Sequence, residues 1–207
     1  MIVTEIKKIG AGKRYKVFID NENIGVFQDE ILAKYQLKTG QEIDEDFLKQ
    51  LKKSNSKVSS FDDAVTYLEK FSKTKNGIKD YLRKKGYDNE TIENTCKKLD
   101  EYGFINDRLY AENYIKTYIT KKSKKAIKYE LKFKGVNEQI IDELLSEVDD
   151  EEEKQTVLLL AKKYTKNKEI DQKTKQKCKN YLFSKGFSYD LCNYAVDSLG
   201  GEDEDWF

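Results

Sequence analysis

At 207 residues, with 37% charged residues against 38% hydrophobic ones, the chain is too lean in apolar side chains for one large globule and suits small bundles with wet outer faces. It has no histidine, which removes the commonest metal ligand and the usual general base near neutral pH, and no proline, so nothing forbids long helices. The net charge is only +1 but is unevenly spread: residues 149–153 are five consecutive acids, whereas residues 154–185 hold ten lysines and two acids.

Residues 2–9, 15–19 and 24–27 are rich in β-branched and aromatic side chains. Gly10-Ala11-Gly12-Lys13 and Asp20-Asn21-Glu22-Asn23 separate them, which predicts three short antiparallel strands joined by hairpin turns. The glycine-rich turn is not a phosphate loop, because Lys7 stands where the first P-loop glycine belongs and Arg14 replaces Ser/Thr. Helical pieces are expected over 29–35 and 44–53, and Ser54-Asn55-Ser56 reads as a linker.

Beyond the linker the chain repeats. Gly86, Gly135 and Gly186 are spaced by 49 and 51 residues, and each follows a lysine. Leu82, Leu131 and Leu182 stand four residues before the glycines, and Ile78, Ile127 and Cys178 eight before, an apolar i, i+4 pair on a helix that ends there. A glycine takes the left-handed conformation that closes a helix. Tyr87, Val136 and Phe187 come next, then the N-cap types Asp88, Asn137 and Ser188. Six, ten and thirteen residues past each glycine lie apolar residues, beginning with Ile92, Ile141 and Cys192, which form the buried stripe of a following helix. The residue just after each glycine pairs with the one at +6 as a hydrophobic staple. A preceding helix completes each unit, expected over 62–71, 107–121 and 153–164. Three copies at near-constant period point to a repeat array.

The expected fold class is therefore mainly α: three tandem three-helix repeats in an elongated array behind a small β-rich N-terminal module. The expected divisions are 1–55 for that module, 56–103, 104–149 and 150–200 for the repeats, and 201–207 for an acidic tail. Residues 56–207 are expected to fold without the first module.

Cys96, Cys178 and Cys192 are an odd number without a CxxC pair, and all occupy repeat positions filled elsewhere by Ile, Leu or Val. They are read as core thiols of a reduced, cytoplasmic protein without a leader or membrane span. The acids at 44–46 and 149–153 lack the alternate-residue spacing of a calcium loop, so no metal or cofactor is expected.

Residues 116–134 carry eight lysines and a single acid, Glu130. Ile127 and Leu131 define the buried side of this helix, so Lys121, Lys122, Lys124, Lys125, Lys128, Lys132 and Lys134 are expected to face outward with few intramolecular partners. Arg83, Lys84 and Lys85 in the first repeat, and Lys175, Lys179 and Lys185 in the third, carry the same bias. Aligned repeats would present one basic face to DNA phosphates or an acidic protein surface. Most tyrosines at helical spacing are assigned to the core rather than to base-stacking platforms.

YLRKKG at 81–86, YGFINDRLYAENYI at 102–115 and IKYELKFKG at 127–135 resemble the RecX family of bacterial recombination regulators. Phe104, Ile105, Asp107, Arg108, Tyr110 and Ala111 match the pattern of its middle repeat. Lys121-Lys122-Ser123-Lys124 replaces the family's glycine–proline-like break, so that turn is expected to differ. The resemblance implies a non-enzymatic protein that binds the RecA filament on single-stranded DNA within its groove and inhibits or disassembles it; the chain is expected to be a monomer. It adds Arg108 to the basic contact set. A direct, weak contact with DNA is implied beside RecA. The rival reading is a DNA-binding or architectural protein that uses the helix-turn-helix-like pairs on duplex DNA.

Overall fold

The computed structural model describes residues 1–200; the expected acidic tail, 201–207, lies outside the described residues. The chain divides into two compact units, one holding residues 1–73 and 77–105, the other residues 74–76 and the chain from 106 onward.

The first unit begins with an antiparallel sheet of order β1-β2-β3: β1 (Val3–Ile9), β2 (Arg14–Ile19) and β3 (Glu22–Gln28). Ile6 pairs with Val17, and Tyr15 with Phe27. The β2–β3 turn places Asp20 and Asn21 at φ of 46° and 70°, the left-handed region that these two residue types tolerate in a two-residue hairpin. Val3, Val17, Ile19 and Phe27 form a core with Ile31 and Leu32 of α1 (Asp29–Lys34) and with Leu51 of α2 (Glu45–Lys70).

α2 runs without interruption from Glu45 to Lys70, where two helices separated by a linker were expected. No glycine or proline lies in that stretch, so the backbone has no reason to stop. Asn55 looks like a breaker by composition, but its side chain is employed: it accepts from Gln28 N at 2.9 Å and donates to Val26 O at 2.9 Å, binding the helix to β3. Ser54 exchanges a 2.7 Å hydrogen bond with Tyr35. A polar triplet that reads as loop is thus a helix-to-strand seam. Further along α2, Ser60 meets Thr95 at 2.6 Å and Ala64 joins the core made by Ile78 and Leu82 of α3 (Lys75–Lys84) and by Ile92, Cys96 and Leu99 of α4 (Asn89–Glu101).

In the second unit, α5 (Asp107–Tyr118), α6 (Lys124–Phe133) and α7 (Glu138–Ser146) enclose Ala111, Ile115, Ile127, Leu131 and Ile141. The helices α8 (Asp150–Thr165), α9 (Gln172–Ser184) and α10 (Tyr189–Asp197) enclose Val157, Ala161, Cys178, Leu182, Phe187 and Cys192. All three thiols are free and buried. The expected caps are in place: Asp88 accepts from Thr91 N, Asn137 from Gln139 N and Ser188 from Leu191 N. Gly86, Gly135 and Gly186 take φ of 88°, 81° and 89°.

Two of those glycines do more than end a helix. A Cβ on Gly186 would stand 2.6 Å from Ser123 Oγ and 2.7 Å from the Ala126 Cβ, at the start of α6. A Cβ on Gly135 would stand 2.5 Å from the Asn76 Cβ, within residues 74–76 of the same unit. The flanking hydrogen bonds correspond as well. Lys185 O accepts from Ser123 N at 3.1 Å, and Lys134 O accepts from Thr74 Oγ1 at 2.7 Å. Glu153 accepts from Lys124 N and Asp107 from Lys75 N, both at 2.8 Å. One joint is therefore built twice: a glycine seated on a helix start, whose free N–H is capped by the next repeat's carboxylate. Around Gly86 a Cβ would meet nothing within 4 Å.

Candidate functional site

Ser123 caps α6 by accepting from Ala126 N at 3.1 Å, and Ile127 and Leu131 turn fully inward. The lysines of this stretch, and their counterparts in the other repeats, then sort into three groups. Several have partners that their sequence density had concealed. Lys122 donates to Glu130 at 2.6 Å, and Glu130 also accepts from Tyr114 Oη at 2.6 Å. Burial pushes the Glu130 carboxyl up, but these two hydrogen bonds together outweigh it and hold it below the usual range. Burial, and then the bond to Glu130, pushes the Tyr114 hydroxyl up.

Lys124 donates to Val148 O and, at 2.7 Å, to Asp150, whose carboxyl it holds down; its side chain is only 18% exposed. Lys128 bridges Asp142 and Glu138, which raises its own pKa, and Lys132 reaches Glu138 at 2.8 Å. Arg108 pairs with Glu143 at 2.8 Å and with Glu112 at 3.3 Å. Apart from Glu130, the acids come from α5, α7 and α8, outside residues 116–134, which is why counting charges within that window missed them. In the first unit Arg83 pairs with Asp80 at 2.6 Å, and Lys85 lies 3.7 Å from Asp63.

A second group lies against tyrosine rings. Lys85 stands over Tyr81, Lys134 over Tyr114 and Lys185 over Tyr181, with ammonium-to-centroid distances of 5.7, 5.5 and 5.4 Å. Each of these lysines precedes a repeat glycine. The rings are themselves paired: Tyr67 with Tyr81 at 4.0 Å, Tyr114 with Tyr118 at 4.4 Å and Tyr164 with Tyr181 at 4.8 Å. On the far side stand Lys73, Lys121 with Lys122, and Lys168. Every repeat thus carries a lysine–tyrosine–tyrosine–lysine sandwich, which fixes cations over apolar ring faces; Lys85 and Lys122 are also paired with Asp63 and Glu130.

Among the described residues, Lys84, Lys125, Lys175 and Lys179 have neither an ion pair nor a ring contact. With the ring-bound Lys121, Lys134 and Lys185, they are the cations of the expected contact set left available to an outside anion. Lys125 borders an open groove of about 660 Å³ in the second unit, together with Tyr129, Phe183, Ser184, Ser188 and Tyr189. Three of those linings are exposed aromatics: Tyr129 and Tyr189, tyrosines for which a core place was expected, and Phe183. The signal was present for α6: Tyr129 and Phe133 each lie two residues past a buried position, on the opposite side of a 3.6-residue helix. Among the described residues there is no cluster of three metal-ligating side chains, and no helix long and apolar enough to cross a membrane.

Models of two domains of one family match this chain: that for "RecX, second three-helix domain" over residues 106–145, and that for "RecX, third three-helix domain" over residues 149–196. A regulatory protein RecX of Clostridium tetani is 37% identical over 205 residues, covering 95% of both chains. One from Clostridium perfringens is 36% identical over 190 residues, covering 90% of both. The fold is similar to a crystal structure of a regulatory protein RecX, with TM-score 0.65 and 24% identity over 95% of this chain and 98% of the other. It is also similar to the crystal structure of RecX from Lactobacillus salivarius, with TM-score 0.61 and 28% identity over 70% of this chain and 97% of that one.

Proposed function

Since the chain belongs to the RecX family of regulatory proteins, we propose that it binds the RecA filament on single-stranded DNA and inhibits or disassembles it. The observation that carries this reading is the match to regulatory relatives along nearly the whole chain, with the same helical repeats underneath. The action is stoichiometric binding in the cytoplasm by a monomer, not turnover. The division of the cations supports a mechanism. Lys122, Lys124, Lys128 and Lys132 hold the second unit together through acids on neighbouring helices. Lys125, Lys175 and Lys179, without such partners, supply charge for phosphates or for acidic surface on RecA. Phosphate contacts would each add about 0.7 to 0.9 to the salt slope of binding, whereas acidic protein surface gives screening without a counted slope.

The test is DNA-dependent ATP hydrolysis by the cognate RecA with this protein added at substoichiometric to equimolar ratios. Suppression is expected, and the variant with Lys125, Lys175 and Lys179 replaced by glutamate should suppress less while remaining folded. An unchanged hydrolysis rate at saturating wild-type protein rejects the reading.

A further inference from the structure

Resting on the reading that this chain works on a filament carrying single-stranded DNA, we infer that Tyr129, Phe133, Phe183 and Tyr189 form a stacking platform for unpaired nucleotide bases. These residues are 73%, 82%, 65% and 68% exposed. Ile127 and Leu131 already build the α6 core, so two further rings held in water on that helix contribute nothing to its packing. Tyr129, Phe183 and Tyr189 line one groove, and Phe133 follows Tyr129 by one helical turn on the same face.

The lining selects the occupant. Apart from Ala126, its apolar side chains are aromatic, which favours a flat ligand over a branched aliphatic one. The nearby cations are free. Lys125 stands one turn before Tyr129, and on α9 Lys175, Lys179 and Phe183 succeed one another at the same four-residue spacing. α9 contains no acid at all. The groove's one carboxylate, Glu130, is already committed to Lys122 and Tyr114. A flat and negatively charged ligand is what remains, and an unpaired nucleic-acid strand is both. At 1.5 Å rise per residue, Tyr129 and Phe133 are about 6 Å apart along the helix, wider than the roughly 3.4 Å between stacked bases. Each ring therefore takes its own base from a strand whose bases are parted, and a duplex, with its base faces inside, does not fit. Such stacking tolerates any sequence.

The experiment measures binding of the full chain to a fluorescent oligothymidylate and to an abasic oligomer of equal length, which keeps the phosphates and lacks the bases. Wild type should prefer the oligothymidylate. Each stacked base is worth about 5- to 150-fold in affinity, so the Tyr129→Ala, Phe133→Ala double variant should bind oligothymidylate at least about 25-fold more weakly, with abasic binding unchanged. Tyr129→Phe, which keeps the ring, should bind like wild type; Phe133→Leu, apolar but without a π face, should lose affinity like alanine. Equal affinity for the two oligomers, or full binding by the double variant, overturns the inference. RecA inhibition measured on the same variants separates it from the reading beneath it. A double variant that binds oligothymidylate normally but no longer inhibits RecA assigns the rings to a protein partner and overturns the platform alone. Ring-dependent oligothymidylate binding with no effect of wild type on RecA keeps the platform and removes the filament function.

Discussion

Replacing each repeat glycine by alanine separates two physical roles that one residue performs. All three glycines have φ near +85°, where any L side chain carries a conformational cost of about 1 to 2 kcal/mol. At Gly86 that is the whole effect, since the added methyl meets open space. At Gly186 the methyl would press on Ser123 Oγ and the Ala126 Cβ at 2.6 and 2.7 Å, and the Ala126 backbone N at 3.3 Å leaves no room to retreat. At Gly135 it would meet Asn76 Cβ and Cγ at 2.5 and 2.9 Å. Overpacking of this kind adds about 1 to 3 kcal/mol. The expected order is therefore Gly86→Ala at about 1 to 2 kcal/mol, with Gly135→Ala and Gly186→Ala at about 2 to 5 kcal/mol. Urea denaturation of the three variants under one set of conditions reads the order directly. If Gly186→Ala is no more destabilising than Gly86→Ala, the glycine is only a helix stop and the joint argument is wrong.

Glu130 is held below its ordinary range by Lys122 and Tyr114, so its contribution to stability is complete above the unfolded-state value of about 4.3 and is lost as pH falls through the folded one. Glu130→Gln should lower stability at pH 7 and flatten the acid limb of the profile, converging on wild type at low pH; an acid limb of unchanged slope counts against the assignment. Cys178 and Cys192 have thiol pKa values raised by burial, and Cys96 is fully buried, so a thiol reagent should label none of them until the protein unfolds. Rapid labelling in native buffer would contradict these cores. A fragment of residues 56–207 keeps Ser60 and Ala64 but loses the start of α2 with Leu51 and Asn55. It should remain helical by circular dichroism with a lower midpoint than the full chain, and a midpoint equal to that of the intact protein would show that the shared helix contributes nothing.

The repeats were legible because their signals are local and periodic. Gly, cap and apolar spacing recur within one unit, and the structure puts Ile92, Ile141 and Cys192 where that spacing places them. The strands were legible for the same reason, with the Asp20-Asn21 turn between them. What failed was everything that depends on partners far along the chain. Ser54 and Asn55 look like a linker until Tyr35 and β3 supply their hydrogen bonds. Lys124 and Lys128 look free until Asp150 and Asp142 arrive from α8 and α7. Composition shows how many acids there are but not which helix brings them near. The exposed rings on α6 failed differently: the periodicity that assigned Ile127 and Leu131 to the core also turned Tyr129 and Phe133 outward, and only a preference for burying aromatics hid it.

The unbroken run of α2 has a mechanical meaning. Its 26 residues extend for about 39 Å, with Leu51 anchored among the strands and Ala64 among the helices of the first repeat. Tension applied at the strands travels down a continuous ladder of backbone hydrogen bonds, with no slack segment to absorb it. The sheet is then a handle on the first repeat and not a bead on a string. Anything that grips the strands could twist that repeat directly.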